Sequence, residues 1–125
     1  MSGICLLVGE TSLRLAASLL TLAWTHSIEK VEWREIWRGT PAGLELVEAR
    51  VKGSGAGMEP GEAARLVDGW WVWRPNRPAM PEVLLARSDA TADWRLCVDG
   101  TCRSVDEILG PPRDATPARV AACPP

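Results

Sequence analysis

A chain of 125 residues has room for one ordinary domain around one buried core. Its formal charge of −2, with both signs interspersed along the chain, argues against the polybasic groove of a nucleic-acid-binding protein. No apolar run reaches the ~18 residues of a membrane span, and the composition is globular apart from one oddity, seven Trp beside no Phe and no Tyr.

The opening MSGICLLVGETSLRLAASLLTLAW is apolar but lacks a basic n-region, and Glu10 and Arg14 interrupt it. It reads as strands of the domain rather than as a signal peptide. Ile4 to Val8 is a short apolar run ended by Gly9, and Ser12 to Ala17 alternates weakly. Leu20 to Ser27 is the first clear strand, with Leu20, Leu22, Trp24 and His26 in one row. Val31 to Arg38 follows, with Val31, Trp33, Glu35 and Trp37 in one row and Glu32, Arg34 and Arg38 in the other. A hairpin joins them, and a loop of either two or four residues keeps both apolar rows on one face. With the shorter loop Trp24 faces Glu35, His26 faces Trp33, and His26 and Glu35 meet on the diagonal.

GTPAG at 39–43 is a turn, Leu44 to Val51 a strand, and GSGAG at 53–57 a glycine-rich stretch. That stretch lacks the GK[ST] of a phosphate loop. It marks either a bulge or a backbone wall against a small anion. Met58 to Arg65 reads as a loop with a helical turn, and Asp68-Gly69 as a tight turn into the strand Trp70 to Trp73. RPNRPAMP at 74–81 cannot be a central strand, because its prolines lack donors. Val83 to Arg87 is a strand, and Asp93 to Val98 with Thr101 to Arg103 form a hairpin about Asp99-Gly100. Ser104 and Glu107 form a capping box that starts a short helix, which Gly110 and Pro111 stop. The expected fold is mostly β, a small antiparallel sandwich or barrel with one short C-terminal helix. It occupies residues 1–110 as a single β domain, and the Pro/Ala-rich tail 111–125 is expected to be disordered.

His26 and Glu35 are the polar exceptions in two apolar rows. They are either a structural imidazole–carboxylate pair or the floor of an aromatic pocket rimmed by Ser27, Glu29 and Lys30. Ser27 does not suit a nucleophile beside His26, because adjacent strand residues point to opposite faces. His26, Glu29 and Glu35 match no metal-ligand spacing, and no cofactor loop is evident, so neither metal nor cofactor is expected.

In CVDGTC a two-residue turn at Asp99-Gly100 places Cys97 opposite Cys102 at a non-hydrogen-bonded pair, close enough for a disulfide. A disulfide favours an oxidising compartment such as the periplasm. The lack of a clear signal peptide favours the cytoplasm, and the sequence leaves both open.

The set WTHSIEK at 24–30, Glu35, GSGAGM at 53–58 and DGWWVW at 68–73 resembles domain-of-unknown-function family 1850, over about Leu20 to Leu109. Ile28 stands where the HS-V-EK core of that family has Val, and the N-terminal hydrophobic anchor of many members is not evident. The resemblance implies a small accessory protein of TAXI-class TRAP transporters. It marks His26, Ser27, Glu29, Lys30, Glu35, Gly55 and Gly57 as the shared surface. The expected function is a non-catalytic accessory or ligand-binding module. Its partners would be transporter subunits or a solute-binding protein, and its ligand a small anion. The alternative is a small enzyme with His26 as general base and Glu35 orienting it.

Overall fold

The computed structural model describes residues 3–15, 18–25, 31–52, 63–87, 93–110 and 116–123. In chain order the elements are β1 (Ile4–Val8), β2 (Thr11–Leu15), β3 (Leu19–Thr25), β4 (Glu32–Thr40), β5 (Gly43–Lys52) and β6 (Arg65–Val67). They continue with β7 (Trp70–Trp73), β8 (Glu82–Leu85), β9 (Arg95–Val98), β10 (Thr101–Ser104), α1 (Val105–Leu109) and β11 (Ala118–Ala122). The strands form two antiparallel sheets, β2-β1-β11-β8 and β10-β9-β3-β4-β5-β7-β6. The fold is therefore mostly β and sandwich-like, and no barrel closes among the described residues.

Two-residue periodicity produces the core. Leu20 and Leu22 of β3, Trp37 of β4, Leu44 and Leu46 of β5 and Leu96 of β9 point inward from the seven-stranded sheet. They meet Ile4, Leu6, Leu85, Ala118 and Val120 from the four-stranded sheet. Each large aliphatic side chain buried this way contributes about 1.5–3 kcal/mol.

Two Asp-Gly turns set the hairpins. Asp68 and Gly69 have φ of 51° and 84°, and Asp99 and Gly100 have 51° and 82°. This double left-handed geometry twists with the flanking strands. The expected loop runs from Met58 to Arg65, but Arg65 instead opens a strand, residues 65–67. They form β6 because the Asp68 turn folds them back onto β7.

Three features depart from the expectations or sharpen them. The β3–β4 ladder pairs Trp24 with Trp33 and Leu22 with Glu35, a register shifted by two residues from the one expected for the shorter loop. The pairing of Trp24 with Glu35 is thus corrected: stacking Trp24 on Trp33 joins aromatic surface to aromatic surface.

On β5 the alternation slips. Trp37 pairs with Leu46 but Ile36 pairs with Glu48, so Val47 is an extra residue in a bulge. Leu44 and Leu46 face inward before it, Ala49 and Val51 after it.

The expectation of a disordered 111–125 tail fails at residues 118–122. These form β11, hydrogen-bonded between β1 and β8. Its inward pair Ala118 and Val120 is fully buried, and Cys123 lies at bonding distance from Cys5 of β1. Residues 111–115 and 124–125 lie outside the described residues.

The proline-rich segment after β7 docks on the start of β5. Leu44 and Met80 exchange both backbone hydrogen bonds, at 2.7 and 2.8 Å. Gly43 permits this approach: its φ is +123°, and a Cβ there would lie 2.5 Å from the Met80 carbonyl oxygen. Beyond β8, the Arg87 guanidinium donates to both carboxylate oxygens of Asp93, most closely from Nη2 to Oδ2 at 2.7 Å, and Nη2 also donates to the Gly110 carbonyl at 2.8 Å. Both side chains are almost wholly buried. Removing one partner from such a pair costs about 3–5 kcal/mol, because the other charge is stranded. The pair thus anchors the end of α1 to the end of β8.

Candidate functional site

Glu35 is the one residue of the expected shared surface that the structure describes. His26, Ser27, Glu29, Lys30, Gly55 and Gly57 lie outside the described residues, so the approach of His26 to Glu35 does too. Glu35 sits mid-strand on β4, on the inner face, in a row with Leu22, Ala49 and Trp73. Leu22 and Ala49 are buried apolar neighbours. Burial therefore pushes the Glu35 carboxyl above its ordinary range. The Trp37 indole N–H, which donates to Glu35 Oε1 at 3.3 Å, and the positive charge of Arg77 oppose this more weakly. Arg77 comes from the segment that crosses from β7 to β8. A carboxyl held protonated to higher pH can donate a hydrogen bond or a proton where an ordinary glutamate only accepts.

Tryptophans line this end of the inner face. Trp24 stacks on Trp33 with ring centroids 6.1 Å apart and planes 10° from parallel. Trp94 tilts against Trp24 at 4.8 Å, and Trp73 meets Trp33 edge-on at 6.1 Å. All four are half-buried. The Trp94 indole N–H donates to the Ala86 carbonyl at 2.8 Å. The Trp71 indole nitrogen is buried and has no acceptor among the described residues. A buried donor left so costs about 1–3 kcal/mol. No group of three His, Cys, Asp or Glu side chains among the described residues could hold a metal ion.

The outer face of the same sheet carries a feature that the sequence reading missed. Strand register aligns Arg95, Ala23, Arg34, Arg50, Val72 and Arg65 in one row across β9, β3, β4, β5, β7 and β6. At about 4.8 Å per strand the row is ~24 Å long. Arg38 and Lys52 share the face, against the carboxylates of Glu32, Glu45 and Glu48. Glu32 bridges Arg34 at 2.6 Å and Arg95 at 3.1 Å, over the nearly buried Ala23. Trp70 lies between two cations, with Arg34 4.8 Å and Lys52 5.0 Å from its ring. The signal available beforehand was the outward placing of Arg34. Only strand order could bring four arginines from four segments into line.

Cys97 faces Cys102 in register, as CVDGTC implies, with Cα atoms 4.0 Å apart and sulfurs at bonding distance. A second pair at bonding distance, Cys5 with Cys123, links β1 to the end of β11 with Cα atoms 5.1 Å apart. Sequence gave no pairing for Cys5, because its partner is 118 residues away.

No curated protein and no solved structure matches the chain. The sequence model of the family described as "Domain of unknown function (DUF1850)" matches residues 20–105, which run from the start of the β3 core row to the first residue of α1. Since that match covers most of the chain, the protein belongs to the DUF1850 family.

Proposed function

We propose that this protein is a non-catalytic accessory module that docks on an acidic partner surface through the outer face of its seven-stranded sheet. The arginine row carries the reading. Six cations against three carboxylates on one face of a chain of net charge −2 concentrate positive charge where an acidic surface can meet it. Trp70 adds an aromatic anchor of the kind that dominates interfaces. The partner implied by the family resemblance is a TAXI-class TRAP transporter subunit or its solute-binding protein. Two cysteine pairs at bonding distance favour an oxidising compartment, and the periplasm fits both them and that partner.

The test is affinity capture of the full chain from native membranes, in low salt and at about 0.5 M salt, where charge contacts are screened. Recovery of transporter subunits that is lost at high salt, and lost with Arg34→Gln, Arg50→Gln and Arg65→Gln together, supports the reading. Recovery of no transporter component, or equal recovery by the triple variant, overturns it.

The raised carboxyl of Glu35 favours a second reading, a small enzyme in which Glu35 works with His26. Turnover of a carboxylate or ester substrate that His26→Ala abolishes would establish it in place of the first.

A further inference from the structure

At the side of the sandwich away from β8, the edge strands β2 and β10 flank an open cleft of about 330 Å³. Leu13 and Leu15 pair with Leu6 and Ile4 of β1, so they line the inward side of the smaller sheet. Leu96 and Val98 of β9 form the opposite wall, and Ile108 of α1 also lines the cleft. Thr101 and Arg103 pair with Val98 and Leu96 across the β9–β10 ladder, which places both on this inner side. The walls are thus mostly aliphatic, with the hydroxyl of Thr101 and the guanidinium of Arg103 two residues apart along one rim, and Arg14, which pairs with Cys5 of β1, also contributes to the lining.

Arg103 differs from most arginines among the described residues. Arg34, Arg38, Arg50, Arg87, Arg95 and Arg119 each contact a carboxylate, whereas Arg103 contacts none among the described residues. An inward-pointing charge on an edge strand deters pairing with another chain. That role accounts for an arginine at the edge but not for the aliphatic cleft beside it.

We infer that this cleft binds a free medium-chain aliphatic carboxylate, with the carboxylate on Arg103 and Thr101 and the chain between Leu13, Leu15, Leu96 and Val98. A guanidinium matches a carboxylate with two parallel hydrogen bonds. The volume lies at the small end of ligand pockets. At a water-sized share of about 30 Å³ per heavy atom it holds about eleven, the size of an eight- or nine-carbon acid. The inference is independent of the docking reading: it concerns another region of the fold and needs no partner protein.

The experiment is an NMR titration of the isotope-labelled full chain with butanoate, hexanoate, octanoate and neutral 1-octanol. Saturable shifts at Leu13, Leu96, Val98 and Ile108 are expected. Affinity should rise about fourfold per added methylene until the cleft is filled, and octanoate should bind at least tenfold tighter than octanol. Arg103→Gln should remove the preference for octanoate over octanol, because it takes away the charge and leaves the walls. Leu13→Glu, at an exposed position, should abolish octanoate binding by placing a competing carboxylate in the cleft. The fold of each variant is checked in the same spectra. Shifts that do not saturate, affinity independent of chain length, or an unchanged preference in Arg103→Gln would overturn the inference.

Discussion

Glu35 and Glu32 lie three residues apart on one strand, on opposite faces, and titrate in opposite directions. Burial raises the Glu35 carboxyl, so the folded state keeps its proton to higher pH than the unfolded chain does. Stability from this group is complete below the unfolded value and falls as pH rises through the folded one. Glu35→Gln keeps an acceptor for Trp37 and removes the buried charge, so it should raise the melting temperature at about pH 7, with the gain vanishing towards pH 4. For Glu32, burial also raises the carboxyl, but the hydrogen bonds and charges of Arg34 and Arg95 outweigh it and the net shift is downward. Stability from Glu32 is present above its unfolded value and is lost as pH falls. Glu32→Gln should therefore lower the melting temperature near neutrality and converge with the native chain in acid. Calorimetric melts across that range check both slopes, and parallel curves for the two variants would refute the assignment.

At the scale of elements, the two cysteine pairs do different work. Cys97–Cys102 spans only five positions in a hairpin that its Asp-Gly turn already closes. Cys5–Cys123 spans 118 positions and ties β1 to the end of β11. Loop-closure entropy then assigns about 2 kcal/mol to the first and about 5 kcal/mol to the second. Replacing Cys5 and Cys123 by Ser should accordingly lower urea stability by more than the same change at Cys97 and Cys102. A larger loss from the hairpin pair would show that β10 depends on its crosslink more than on its ladder.

For the whole molecule, β11 is the element that makes the smaller sheet continuous. It is hydrogen-bonded on both sides, and without it β2-β1 and β8 are separate pieces. Its side chains Ala118 and Val120 also belong to the shared core beneath both sheets. A chain ending at residue 115 should therefore lose cooperative unfolding, with Leu6, Leu20 and Leu85 exposed together. Urea denaturation followed by tryptophan fluorescence measures this. A sharp transition with an unchanged midpoint would mean that the seven-stranded sheet folds without its cover.

What lay open in the sequence was local. Alternation marked the strands β3 and β4 and their inward rows, because each side chain's face depends only on its neighbours in the chain, whereas β5 was legible as a strand but its rows change at the bulge. The Asp-Gly turns and the facing of Cys97 and Cys102 were legible for the same reason: one turn type fixes the register of the pairs beside it. Glu35 stood out because it was polar in an apolar row, and the structure puts that row against Leu22, Ala49 and Trp73. The tertiary structure alone decided the rest. The tail read as disordered because its prolines and alanines dominate a short window. Ala118, Val120 and Cys123 acquire meaning only when β1 and β8 lie on either side. The β3–β4 register had two solutions of equal apolar pattern, and stacking of Trp24 on Trp33 accompanies the one adopted. The arginine row exists only across six strands, since its members come from segments whose order in the sheet no local pattern encodes.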